Sequence, residues 1–124
     1  MTNIANVAIV SLPVADPDRS IAFFRDKLGF AVRRDAPMGR DGGRWVEIAP
    51  PGAQTSLALV TWFDRLRPGT IQGLVLATAD VAATHDRLAA AGVSVTDVVP
   101  APWGRFCTFT DPDGNGFVVA EAAG

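Results

Sequence analysis

From Val7 to Val14 the chain is rich in β-formers and predicts a strand, which stops at Ala15-Asp16-Pro17-Asp18. Asp16 is placed to cap a helix, Pro17 to occupy its first position and Asp18 to sit in its first turn. Ile21, Phe24 and Leu28 then share one helical face, and Gly29 is placed to end the helix. Further strands are predicted over Phe30 to Arg34, Arg44 to Ala49 and Thr55 to Trp62. Ala36-Pro37-Met38-Gly39-Arg40-Asp41-Gly42-Gly43 is a loop by composition, and Pro50-Pro51-Gly52 a turn.

The second half repeats this order. Ile71 to Thr78 predicts a strand, Asp80 caps a helix running through Ala91, and Gly92 ends it. Strands follow at Val93 to Val99, Arg105 to Thr110 and Gly116 to Glu121. The helix-ending glycines Gly29 and Gly92, and the turn prolines Pro50 and Pro112, recur at an interval of about sixty residues, which marks an internal duplication. The fold class is therefore α+β, a single domain over 1–124 built from two βαβββ modules, 1–63 and 70–124, with a linker at 64–69. One helix per four-stranded sheet leaves the opposite faces without helical cover, so they must curl into a cup or be closed by another chain.

Alternation assigns side chains to that cup. Val46 and Ile48 pack under the helix, so Trp45 and Glu47 face the other way. Ala58, Val60 and Trp62 share a face, as do Ile9 and Ser11. Trp103 stands at a loop-to-strand junction, where it would form a wall or lid. Arg105 would pair an anionic group bidentately, although alternation leaves open whether Arg105 or Phe106 points inward. Such an apolar and aromatic lining with few polar groups is that of a small-molecule pocket.

Composition narrows the chemistry. With 124 residues and 13.0 kDa there is room for one packed core, and 48% hydrophobic against 19% charged residues excludes wholesale disorder. Eleven basic against thirteen acidic residues, a net charge of −2 and a single lysine, Lys27, leave no basic stripe for nucleic acid. Cys107 is the sole cysteine, which excludes an internal disulfide and a cysteine-cluster zinc site and fits a reducing cytoplasm. The start, Met1-Thr2-Asn3-Ile4-Ala5-Asn6, has no signal-peptide pattern, and no apolar run is long enough to span a membrane. His85, the sole histidine, borders the apolar stripe of the second helix and reads as structural. Asp111-Pro112-Asp113-Gly114-Asn115 reads as a turn, and Cys107, with no histidine beside it, is a poor nucleophile.

Four segments carry a family resemblance: Leu12-Pro13-Val14-Ala15-Asp16, Ala22-Phe23-Phe24-Arg25-Asp26-Lys27-Leu28-Gly29-Phe30, Arg87-Leu88-Ala89-Ala90-Ala91-Gly92-Val93 and Asp111-Pro112-Asp113-Gly114-Asn115. In order and spacing they resemble the vicinal-oxygen-chelate superfamily, the glyoxalase, bleomycin-resistance and extradiol dioxygenase group. The resemblance implies a divalent metal held by one ligand on the first and one on the last strand of each module. The corresponding positions are Ile9, Ala58, Gly73 and Val118, none of which can ligate. A slip of one residue brings in only Gln72 as an oxygen donor.

The expectation is thus a metal-independent binder, without cofactor, of an aromatic or amphipathic small molecule. Its lining would be Ile9, Ser11, Trp45, Glu47, Ala58, Val60, Trp62, Gly73, Trp103, Arg105 and Val118. The resemblance also implies a homodimer. The alternatives are a metal-independent lyase or isomerase, with Glu47 as base and Arg105 as oxyanion partner, and a structural dimer whose cup is filled.

Overall fold

The computed structural model describes residues 2–39 and 43–122. Along them run β1 (Ile9–Pro13), α1 (Pro17–Leu28), β2 (Ala31–Pro37), β3 (Arg44–Ala49) and β4 (Ser56–Val60), then β5 (Leu74–Ala77), α2 (Val81–Ala90), β6 (Val99–Ala101), β7 (Gly104–Thr110) and β8 (Gly116–Ala122). The fold is α+β, strand–helix–three strands taken twice. It divides into two compact units, Met1–Pro68 and Gly69–Gly124. Among the described residues no helix is long and apolar enough to cross a membrane.

In the first unit the strand order is β1-β4-β3-β2, with β1 parallel to β4 and the other pairs antiparallel. A parallel pair needs a long crossover, and α1 supplies part of it. The helix begins because the Asp16 carboxylate accepts from the backbone N–H groups of Asp18 and Arg19, and it ends at Gly29, whose φ of 76° an L-side chain resists. Ser20, Ile21, Phe23 and Phe24 form its buried face, against β2, β3 and β4. Leu12, Val46, Ile48 and Leu59 close the core beneath it, each contributing roughly 1.5–3 kcal/mol by leaving water. β2 runs further than predicted, to Pro37, and Met38 N donates to the Gly43 carbonyl to close the hairpin. Arg40, Asp41 and Gly42 of the expected loop lie outside the described residues.

The second unit repeats the order as β5-β8-β7-β6, with β5 parallel to β8. Asp80 caps α2 through Ala83 N, and a carboxylate oxygen of Glu121 accepts from Val81 N. Val81, Leu88, Cys107, Phe109, Phe117 and Val119 make the core, the rings of the register partners Phe109 and Phe117 lying 5.1 Å apart and nearly parallel. The strand predicted over Val93 to Val99 is corrected: the strand is Val99–Ala101, and the segment before it touches β7 by one bridge, Val95 to Phe109. The Thr96 hydroxyl accepts from Thr108 N, so a side chain replaces a ladder carbonyl there. Pro100 is tolerated because β6 is an edge strand.

The turn between β7 and β8 is fastened by Asp111. Its carboxylate accepts from the backbone N–H groups of Asp113 and Asn115 and from the Asn115 side-chain amide, and the Asn115 side-chain carbonyl oxygen accepts from Ile71 N. Burial pushes the Asp111 carboxyl above its ordinary 3.8, against those hydrogen bonds. The folded chain then binds this proton more tightly than the unfolded chain, so the group favours folding more as pH falls toward 3.8 and levels off below it. Urea unfolding across neutral to acid pH is expected to move the wild type upward relative to Asp111→Asn as pH falls.

Gly29 and Gly69 both have positive φ, but a Cβ on Gly29 would meet nothing within 4 Å, whereas one on Gly69 would collide with the Asp113 carbonyl oxygen. Gly29→Ala is expected to cost about 1 kcal/mol, the left-handed strain alone. Gly69→Ala adds a backbone clash and is expected to cost roughly 2–4 kcal/mol. Equal urea midpoints for the two variants would contradict this.

Candidate functional site

Register separates the two faces of the first sheet. Ile48 stands opposite Leu57, and both are buried on the α1 side. Glu47 stands opposite Ala58, Ala58 opposite Ser11, and Glu47 opposite Arg34 on its other flank. Cross-strand partners share a face, so Ser11, Ala58, Glu47 and Arg34 form one row across the side that no helix of this unit covers. Trp45, two residues from Glu47, shares that side, as the alternation predicts. Its indole Nε1 donates to Glu47 Oε2 at 2.6 Å, and its ring lies 6.0 Å from that of Trp62. Phe63 continues the cluster, 5.7 Å from Trp62. Trp45, Glu47 and Trp62 are half-buried, so each keeps surface for a ligand.

Ala58 and Val60 are placed differently from the expected lining. Both are almost completely buried in a strand whose every residue is buried, so they present no surface. Alternation within one strand gives the face of a side chain and not its burial. Ile9 is exposed and Ser11 half-buried on the edge strand.

In the second unit Thr108 stands opposite Val118, and Val118 opposite Val75, repeating the Glu47, Ala58 and Ser11 row. Phe106 shares that side, and Trp103, exposed, stacks on it at 5.7 Å. The choice between Arg105 and Phe106 thus falls to Phe106. Arg105 lies on the α2 side with Cys107 and Phe109, and its guanidinium pairs at 2.8 Å with Glu121, the residue that also caps α2. Arg105 leaves the lining set, because its charge is engaged on the opposite face. Gly73 and Val118 both line a cavity of about 310 Å³, together with Gln72, Ser94, Thr96, Thr108, Phe109, Thr110, Gly116 and Phe117. Its hydroxyl groups and one amide give it hydrogen-bonding capacity without formal charge. Thr96 and Thr108 are tied to each other there at 3.1 Å.

The donor set does not fit a metal. Ile9, Ala58, Gly73 and Val118 offer no side-chain lone pair, and among the described residues no three His, Cys, Asp or Glu side chains gather as a ligand group. His85 Nδ1 lies 3.0 Å from Asp86 Oδ1 on its own helix. Cys107 is buried and burial pushes its thiol up, which keeps it protonated and a poor nucleophile at neutral pH.

Two groups escape a reading of the sequence. The cavity threonines Thr96 and Thr108 read as ordinary strand residues, and nothing local marks them. Arg33 and Arg34 are signalled only by a polar run in a predicted strand. A β-bulge between Val32 and Arg34 breaks the alternation there, so that Val32 faces Ile48 and Arg34 faces Glu47.

Residues 5–119 match the Glyoxalase/Bleomycin resistance protein/Dioxygenase superfamily. The chain is similar to TnmS3, an antibiotic binding protein from Streptomyces sp. CB03234, at 40% identity and a TM-score of 0.93, over 99% of this chain and 100% of that one. A glyoxalase/bleomycin resistance protein from the same Streptomyces is 42% identical, with a TM-score of 0.84 over 94% of this chain and 100% of its own. The uncharacterised protein YetH of Bacillus subtilis (strain 168) is 31% identical over 122 residues, 95% of this chain and 99% of YetH. With the matched span running through both βαβββ modules, the chain belongs to the Glyoxalase/Bleomycin resistance protein/Dioxygenase superfamily.

Proposed function

We propose that this chain binds a small aromatic or amphipathic molecule without a metal and without turning it over. The observation that carries the reading is the half-buried Trp45–Trp62 pair on the helix-free side of the first sheet. Two indoles 6.0 Å apart offer a large, stiff apolar surface, and ring pairing adds about 0.5–1.5 kcal/mol beyond area burial. The second unit by itself carries a cavity of about 310 Å³, at the lower end of small-ligand sites and lined by hydroxyl groups. The antibiotic-binding role in the name of TnmS3 supports small-molecule binding. A lyase or isomerase reading loses its oxyanion partner, since Arg105 is held by Glu121 on the helix side. A filled-cup reading accounts for Ala58 and Val60 but not for the exposed Trp103 and the half-buried indoles.

The chain is also proposed to work as a homodimer. β1 and β5 are edge strands, and they expose Ile9, Val10 and Val75, the last to 60%. Unpaired edges with apolar side chains are surfaces that a second copy covers. Light scattering at micromolar concentration is expected to give twice the 13.0 kDa chain mass, and a monomer mass would contradict it.

Titration of the apo chain with a panel of polycyclic aromatic compounds, followed by tryptophan emission, is expected to give one saturable site with no product by mass spectrometry. Trp62→Ala should weaken binding about tenfold, as loss of an aromatic anchor does. Prior treatment with a chelator should leave both affinity and melting temperature unchanged. Binding abolished by the chelator and restored by one divalent ion would overturn metal independence, and no spectral response to any compound would return the tryptophans to a structural role.

A further inference from the structure

We propose that the Trp45–Trp62 face selects anionic aromatic ligands, with Arg34 holding the anionic group. The inference rests on the binding role given to that face, and it makes an arginine, not Glu47, the group that recognises ligand charge there.

The β-bulge creates the site. Along β2, Val32 opposes Ile48 and the next paired residue, Arg34, opposes Glu47, so Arg33 is the extra residue. Without it, strict alternation would turn Arg33 and not Arg34 to the Glu47 side. Arg34 is exposed, and among the described residues its side chain makes no hydrogen bond or ion pair. Arg33 reaches back across the sheet, where its guanidinium donates to Ser56 Oγ at 3.0 Å and to the Ala53 carbonyl. Those partners are neutral, so its charge is not cancelled by them.

The acids nearby do not cancel Arg34 either. Glu47 gives one carboxylate oxygen to the Trp45 indole, and among the described residues no ion pair joins it to Arg33 or Arg34. Asp35 opposes Val46 and therefore lies on the α1 side, where Arg44 binds it at 2.8 Å while also binding Asp18 of the helix. Two guanidinium groups against one carboxylate leave the face with surplus positive charge.

Arg34 is also near enough to act with the indoles. Its strand neighbour Ala36, two residues on, is the register partner of Trp45. That makes Arg34 and Trp45 diagonal neighbours, separated by about 7–8 Å along the sheet and within reach of long side chains. A flat aromatic body laid on Trp45 and Trp62 would thus present a carboxylate or sulfonate at its edge to a planar fork of N–H donors, the geometry that arginine recognises.

Two dyes of the same aromatic frame test this: 8-anilinonaphthalene-1-sulfonate, which carries the anion, and N-phenyl-1-naphthylamine, which lacks it. The sulfonate is expected to bind at least about tenfold more tightly at low salt, and its affinity alone should fall as salt rises. Arg34→Gln should abolish the preference while changing the neutral dye less than about twofold, and Arg34→Lys should restore part of it. Trp62→Ala should weaken both dyes alike. Equal affinity for the two dyes, or an Arg34→Gln chain of unchanged melting temperature that keeps the preference, would overturn the anion assignment and leave the aromatic face standing. If neither dye binds, or Trp62→Ala affects neither, the binding role of the face itself falls. Salt dependence measured on the unmodified chain distinguishes these outcomes even if the variants do not fold.

Discussion

Parallel pairing of β1 with β4, and of β5 with β8, is the constraint from which the rest of each unit follows. Two parallel neighbours cannot be joined by a tight turn, so a helix and a hairpin must intervene, and a crossover helix packs on one face of the sheet. With only one helix per unit, the faces acquire different chemistry. Phe24, Leu12, Val46, Ile48 and Leu59 collect on the α1 side, where an apolar stripe waits for them. Trp45, Glu47 and Arg34 are left on the other side, free of the demands of that core. The second unit divides in the same way, with Phe109, Phe117 and Val119 toward α2 and Phe106, Thr108 and Val118 away from it.

Local chemistry makes much of this fold legible in the sequence. Asp16-Pro17-Asp18 and Asp80 start helices because short acidic side chains meet orphan N–H groups, and that depends on the nearest few residues alone. Strand period is enough to place Trp45 and Glu47 on the side away from α1, since β3 carries no bulge. What is not legible depends on partners distant in the chain. The segment after Gly92 has strand-like residues, yet while Thr96 N donates to the Thr108 carbonyl, the Thr96 hydroxyl takes the returning Thr108 N–H, and the strand forms later. Ala58 and Val60 follow the period but are fully buried, and the period of one strand carries no information on burial.

The two arginines of the prospective site illustrate the same limit in both directions. Arg105 looks available in sequence because an isolated guanidinium between aromatic residues has no visible counter-charge. Its partner, Glu121, enters from β8 and ties it to the N-terminus of α2, where the pair closes the helix end. Arg34 looks like an ordinary surface charge because Asp35 follows it and would neutralise it if the two shared a face. The pleat sends Asp35 to the other face, where the Arg44 guanidinium holds its carboxyl below the ordinary value, and the neighbour in sequence is absent from the neighbourhood in space.

Net charge is accordingly a poor guide to the charge a ligand meets. The chain carries −2 overall, yet one extra residue in β2 gathers two guanidinium groups near one carboxylate on a face lined by indoles. Beyond a Debye length of about 8 Å the remaining acids are screened, so a bound molecule feels the local arrangement. Glu47 offsets only one of the two, and the indole N–H of Trp45, donating to that carboxylate, fixes the ring on which an aromatic body would rest. The carboxylate that the sequence offers as part of the lining and as a base thereby orients the aromatic surface, and the charge available for recognition passes to the arginine across the strand.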